Sequence, residues 1–423
     1  MGLAEPLPAN ELFPHVEITR KQLAPCLGNL DEFIQRYLPR FYRAEQRDHA
    51  RTYIEGLLSD LPRKTIEPIA TDHDQHRRPL QRFVGAGSWS DQKVLGEFHA
   101  HVREELADPQ GVLIIDPSAF PKKGTESVGV KRQWCGRLGK QDNCQVGVYL
   151  AYAGRGSSTL IAQDLYLPRE WCRSPKRRLK GHVPEHVRFR TSAKIALDLL
   201  TKVSPLFPHA WVVGDDELGR PAWFRRALRK ADERYVLEVP SNTRIRDLEA
   251  ALPKRHRRQA GRAPMAPFLR AADWARQQPA SSWKRLTVRD GEKGPIVVEA
   301  ISRSVQTYNE RRVGPRETLV ITRTLGPKPE YRFYLSNAPQ ETSLERLVDV
   351  ASQRHAVEEC FERAKGEAGL AQYEVRSWVG WHHHMTLSLL ATWFLTLEAR
   401  RVGGKNSGGV GATDGGGVPI AAA

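Results

Sequence analysis

Two short apolar runs, each ending on a carboxylate, constrain this chain more than any other feature. Residues Gly111 to Ile115 read GVLII and are followed by Asp116; residues Ala210 to Gly214 read AWVVG and are followed by Asp215. A run this short and this continuously apolar is a strand buried on both faces, so it requires a sheet covered by helices. Each strand delivers an aspartate at its exit. An aspartate there also serves simply to cap the following turn, as Pro117-Ser118 would allow after Asp116.

The text between and after these runs sets the kind of sheet. Two further strands are expected near Cys144 to Tyr152 and Ser158 to Tyr166, forming an antiparallel meander with the first, and a helix begins near Thr191. After Asp215 a helix opens at Pro221, and a strand follows from Tyr235 to Val239. Strand, helix, strand is a parallel crossover, so the fold class is α/β with a mixed sheet.

A third carboxylate comes from a late helix, expected to run from Gln353 to Trp381. Val357, Phe361, Ala364 and Ala368 recur at three- and four-residue steps, the spacing of a face packed on a core. At about 100° per residue, Glu358 and Lys365 fall about 40° and about 20° from Arg354, so the three share one stripe beside the apolar one. Such a stripe is either a groove wall or an ordinary solvated charge pattern.

The 423 residues are long for a single core, and the texture changes along the chain. Residues 1–105 read as a helical, basic unit suited to binding DNA ends, or as a helical cap. Residues 106–240 hold the first part of the sheet, and 241–340 alternate in the manner of a β-rich insertion. Residues 341–402 return to helices, and 403–423 form a Gly-rich tail with too little apolar content to fold. Lysine and arginine number 65 against 49 acidic residues, a net charge of +16, and the excess is spread along the chain in a way that suits a long polyanion. Lys122 and Lys123 in one loop, and Arg177, Arg178 and Lys180 in another beside Trp171, are candidate phosphate contacts; solvated basic loops are the alternative. The five cysteines include no C-x-x-C pair, which argues for a reduced chain without a zinc site, and no apolar run is long enough to span a bilayer.

Oxygen ligands from Asp116, Asp215 and Glu358 suit Mg²⁺ or Mn²⁺, and two such ions clamp an in-line displacement at phosphorus. The order strand-Asp, meander, helix, strand-Asp, insertion, helix-Glu resembles the RNase H-like fold of DDE transposases from bacterial insertion sequences. Their signature is tyrosine, two residues, arginine, three residues, glutamate, six residues, lysine. Arg354, Glu358 and Lys365 reproduce its last three members, and IIDPSAFPKKG, LGKQDNCQVGVYLAYA and GLAQYEVRSWVGWHHH are similar to other parts of one subgroup.

The resemblance implies that Asp116, Asp215 and Glu358 form a catalytic triad holding two Mg²⁺ or Mn²⁺ ions, with Arg354 and Lys365 on phosphates at the transposon end. It further implies double-stranded DNA partners (terminal inverted repeats and target), a homodimer joining two ends, and a cytoplasmic, nucleoid-associated bacterial protein. Trp274 or Trp283 would stack a displaced base or belong to the core. The chain departs from the pattern at Ala351, where the signature has tyrosine, at Pro117-Ser118, and at the Gly-rich end. A nuclease of this fold that cleaves without joining, and an inactive transposase-derived DNA-binding protein, are the other readings.

Overall fold

The computed structural model describes residues 20–251, 265–291, 294–309 and 312–406. The tail from residue 407 onward, and most of the basic stretch that begins at Leu252, lie outside them.

Helices α1 (Arg20–Tyr37), α2 (Ala44–Leu58), α3 (Ile66–Asp72), α4 (Arg77–Ala86) and α5 (Asp91–Leu106) open the chain. Ser90 starts α5 by accepting from the Lys93 amide, as a serine N-cap does. The apolar stripes of these helices, including Phe33, Tyr37, Phe41, Tyr53, Leu57, Phe83 and Phe98, join the same core as the sheet.

Strands β1 (Val112–Pro121), β2 (Lys131–Cys135), β3 (Lys140–Gly154) and β4 (Ser157–Leu165) follow. The first strand does not end at Ile115. Strand β3 pairs with β1 along its whole length, from Val112 opposite Ala153 to Pro121 opposite Cys144, and carries it on past Asp116. Pro117, which has no N–H to donate, sits just beyond the point where β1 loses its neighbour on the other side.

Next come α6 (Arg169–Arg173), α7 (Pro175–Lys180), α8 (Ser192–Val203), β5 (Trp211–Gly214), α9 (Asp216–Gly219), α10 (Ala222–Lys230) and β6 (Tyr235–Glu238). The basic cluster expected as a loop is therefore largely two short helices. Strand β5 runs parallel to β1, and β6 runs parallel to β5. With β3 antiparallel on the far side, the sheet is mixed, as the sequence predicts.

Residues after β6 supply β7 (Arg244–Asp247), β8 (Leu269–Arg270), α11 (Ala271–Arg276), β9 (Lys284–Gly291), β10 (Gly294–Asn309), β11 (Arg312–Thr324) and β12 (Tyr331–Ser336). These strands do not form a sheet of their own. Strand β12 pairs antiparallel with β6, giving one continuous sheet in the order β2-β3-β1-β5-β6-β12-β11-β10-β7-β8. They do have a second core, in which Trp274 and Trp283 are both buried with Ile245, Ile301, Ile321 and Phe333.

A buried ion network ties that region to the first part of the sheet. Arg225 on α10 donates to Glu317 on β11 (2.9 Å) and to Thr307 on β10 (3.2 Å), and Tyr235 on β6 donates to Glu317 (2.7 Å).

Helices α12 (Leu344–Ser352), α13 (His355–Gly366) and α14 (Trp378–Asn406) complete the described chain. The single helix expected from Gln353 to Trp381 is thus broken. Helix α13 stops at Gly366, and Gly369 adopts a left-handed φ of 63° that packs its α-carbon side against Leu57. Arg354 is the N-cap of α13 and not a residue of its body.

From Trp378 to Leu397 helix α14 is buried or half-buried on every side. Its buried hydroxyls turn back on the helix: Thr392 donates to Ser388 O and Thr396 to Thr392 O. His382, His383 and His384 lie in this buried rod. They face Asp164, the ring of Trp89 and the hydroxyl of Tyr53 respectively, in three different directions. No helix among the described residues is long and apolar enough to cross a membrane.

Candidate active site

Strands β1 and β5 run side by side in register, Ile115 opposite Gly214, so Asp116 and Asp215 leave the paired region at the same level. Neighbouring strands are about 4.8 Å apart, which puts the two carboxyls on one small patch. Asp215 is also the N-cap of α9, its Oδ1 accepting from the Leu218 amide at 3.1 Å. The capping role and the site role are compatible, because a carboxyl has two oxygens.

Both groups feel the burial. Burial pushes Asp116 up to about 6 against the opposing charge of Arg354. Burial, and then the charge of Asp116, push Asp215 up to about 7. A pair of carboxyls held against their preference for water is a site that a cation would relieve.

Helix α13 faces them across an open cleft of about 1250 Å³, lined by Asp116, Ser118, Asp215, Arg354, Glu358 and Lys365 together with the exposed Trp134 and Arg137. Glu358 is half exposed, with one oxygen 3.1 Å from His355 Nδ1 and the other 3.6 Å from Arg354. Lys365 donates to Ser118 Oγ at 2.8 Å and lies over the Phe361 ring, and burial lowers its pKa. The five residues Asp116, Asp215, Arg354, Glu358 and Lys365 therefore meet in one cleft.

The basic loop residues do not join them. Lys122 turns inward, donating to Tyr373 O at 2.9 Å with its ammonium 3.2 Å from that ring, and burial lowers it to about 7. Arg178 holds the carbonyls of Pro184 and Val187. Lys180 pairs with Glu126. Lys123 and Arg177 are exposed to solvent, away from the cleft wall.

One acidic residue beside the cleft was missed. Glu238, at the end of β6, lies 3.8 Å from Arg354. The signal was present in YVLE, a third apolar run closing on a carboxylate. Its backbone is held by a close approach: a Cβ on Gly219 would lie 1.9 Å from Glu238 O. Gly219→Ala is expected to push α9 away from β6, lowering thermal stability. An unchanged melting temperature in the Gly219→Ala variant would show that the contact yields without cost.

Among the described residues no three Asp, Glu, His or Cys side chains converge closely enough to hold a metal ion. Arg354 stands between Asp116 and Glu358, 3.3 Å from one and 3.6 Å from the other, and fills the space among their oxygens. The donor set, two raised aspartates and a glutamate on one cleft, still fits a hard divalent cation, which takes oxygen ligands and keeps part of its water.

A family described as DDE superfamily endonuclease matches residues 36–295, more than half of the chain. The chain belongs to that family. The match includes Asp116 and Asp215 and stops short of Glu358, whose place in the site rests on the geometry above. Members of the family generally use divalent metal ions. A probable transposase for insertion sequence element IS701 of Microchaete diplosiphon is 27% identical over 236 residues, 55% of this chain and 58% of that protein. The chain thus spans little more than half the length of this curated relative.

Among solved structures, the piggyBac transposase synaptic complex with hairpin DNA aligns over 90% of this chain and 76% of its own, at 11% identity and a TM-score of 0.42. The NurA nuclease of Sulfolobus solfataricus aligns over 75% and 93%, at 9% identity and a TM-score of 0.27. Scores this low bear no weight.

Proposed function

We propose that the chain is a DNA transposase that cuts at transposon ends and joins the freed 3′-OH to target DNA. The observation that carries this reading is the meeting of Asp116, Asp215 and Glu358, from two neighbouring parallel strands and a facing helix, in one open cleft edged by Lys365 and Arg137. Asp116, Asp215 and Glu358 would hold divalent cations, two Mg²⁺ or Mn²⁺ ions, which supply charge stabilisation and an activated oxygen for in-line displacement at phosphorus.

The chain's own residues do the rest. Lys365 lines the cleft, held by Ser118, so it can hold a non-bridging phosphate oxygen near the carboxylates. The overall charge of +16 draws the duplex to the surface. The cleft is open to solvent and not closed around a small ligand. The DNA partners would be terminal inverted repeats and a target duplex, with two copies of the protein holding two ends.

The test combines purified protein, labelled transposon-end DNA, Mg²⁺ and a supercoiled plasmid. The expected result is cleavage at the end followed by a joined product, both lost on adding EDTA. Cleavage without joining would leave a nuclease of this family. Binding without cleavage would leave a DNA-binding derivative.

Lys365→Gln is expected to weaken binding to end DNA and to reduce the slope of log affinity against log salt by about 1, as loss of one phosphate contact does. An unchanged slope, measured by fluorescence anisotropy, would remove Lys365 from the DNA contacts.

A further inference from the structure

One cation of the cleft, Arg354, already stands among its carboxylates. Its guanidinium lies 3.3 Å from Asp116 Oδ1, 3.6 Å from Glu358 Oε1 and 3.8 Å from Glu238 Oε2, so it stands among carboxylates brought by β1, α13 and β6. Its buried Nε meets no hydrogen-bond acceptor. The side chain is therefore held by surrounding charge more than by a satisfied two-pronged fork, and several positions within the cluster serve it about equally. Guanidinium stays charged at any working pH, so it leaves a carboxylate only by moving.

Two of these three carboxylates are the ones assigned above to divalent cations. The third is not: Glu238 lies outside the cleft wall that Asp116, Arg354 and Glu358 line. A guanidinium and a divalent cation cannot share the oxygens of Asp116 without strong repulsion. The α13 N-cap position leaves the Arg354 backbone at the head of the helix, from which its long side chain can swing.

We propose that Arg354 is the counter-ion of Asp116 and Glu358, that its guanidinium would have to leave both for them to hold divalent cations, and that Glu238 is the positioning residue that receives it. This rests on the metal-site reading of the previous subsection. It gives Arg354 two successive duties. Before loading it keeps the carboxylates from repelling one another. With cations bound it would rest on Glu238, which already lies 3.8 Å from it. Metal entry and the readiness of Arg354 for DNA are thereby one event.

The experiment measures Mn²⁺ binding to the full-length, DNA-free protein by calorimetry, so catalysis does not enter. Arg354→Gln is expected to bind Mn²⁺ on the order of tenfold tighter, because the competitor is gone. Glu238→Gln is expected to bind it several-fold more weakly, because the guanidinium has nowhere else to go. The double variant is expected to match Arg354→Gln alone, since without the arginine the berth is irrelevant.

Affinities of the two single variants equal to wild type would overturn the proposal. So would a Glu238→Gln defect that persists in the Arg354→Gln background, which would make Glu238 a ligand in its own right. Should Arg354→Gln fail to fold, Arg354→Lys carries the test: a point charge bridges fewer carboxylates and should raise Mn²⁺ affinity several-fold, and no change would overturn the idea. Wild-type protein that takes up no Mn²⁺ would overturn the metal site and this inference with it. Wild-type uptake with indifferent variants overturns this inference alone.

Discussion

Asp215→Asn is expected to abolish DNA cleavage, by about 10³-fold or more, while leaving a protein that is folded and more stable than wild type. The loss follows from removing one member of a set that acts as a unit. The fold survives because asparagine caps a helix as well as aspartate does, so the bond to the Leu218 amide is kept. The gain in stability follows from the direction of the pKa shift. Burial and the charge of Asp116 raise Asp215 from 3.8 to about 7. A carboxyl whose folded value is raised contributes stability that is fully present below 3.8 and is lost as pH rises through about 7. Asparagine has no such loss. The variant should therefore exceed wild type by about 1–2 kcal/mol at pH 8, with solvent in the cleft taken into account, and by less at pH 5. Thermal melts at the two pH values, with cleavage of labelled end DNA beside them, check both halves. A variant that still cuts would take Asp215 out of the site, and one less stable at pH 8 than wild type would show the aspartate to be a structural cap first.

Glu317→Ala is expected to cost about 3–5 kcal/mol, the scale on which a buried ion pair is felt when one partner is removed. Glu317 accepts from Arg225, Tyr235 and Thr307, and both charged members are almost fully buried. Truncation leaves the Arg225 guanidinium without a counter-charge inside the protein. Replacing the pair together, as Arg225→Met with Glu317→Leu, is expected to recover most of the loss, since an apolar pair of similar volume carries no desolvation penalty. Denaturant midpoints of the three proteins decide it. A Glu317→Ala protein within about 1 kcal/mol of wild type would mean that water reaches the network and that it does not join the two parts of the sheet.

Much of the sheet was legible because its signals are local. The runs before Asp116 and Asp215 are too short and too apolar to be anything but buried strands. The helix expected near Thr191 is α8, and the Thr191 side chain caps its first turn. What was not legible depends on partners far away in sequence. The continuation of β1 beyond Asp116 exists because β3 lies beside it, and Pro117 in the sequence argues against it. The encirclement of α14 turns a helix with hydroxyls and three histidines into a core element, which its own pattern does not disclose. Lys122 and Arg178 read as surface cations, and each has instead found backbone carbonyls within reach. In the site, the stripe of Arg354, Glu358 and Lys365 was legible from helical geometry, although the helix proved shorter. Glu238 escaped because a single acidic residue at a strand end carries meaning only when Arg354 is seen beside it.

The pairing of β12 with β6 has a mechanical consequence. Glu238 on β6 lies opposite Tyr334 on β12, and β12 continues rung by rung into β11 and the long β10 hairpin. That hairpin is accordingly a lever arm welded to the strand beneath the cleft, not a flap hung from it. Shear applied to the described part of the hairpin would travel along the ladder to β6, past one register shift between Gln306 and Tyr308.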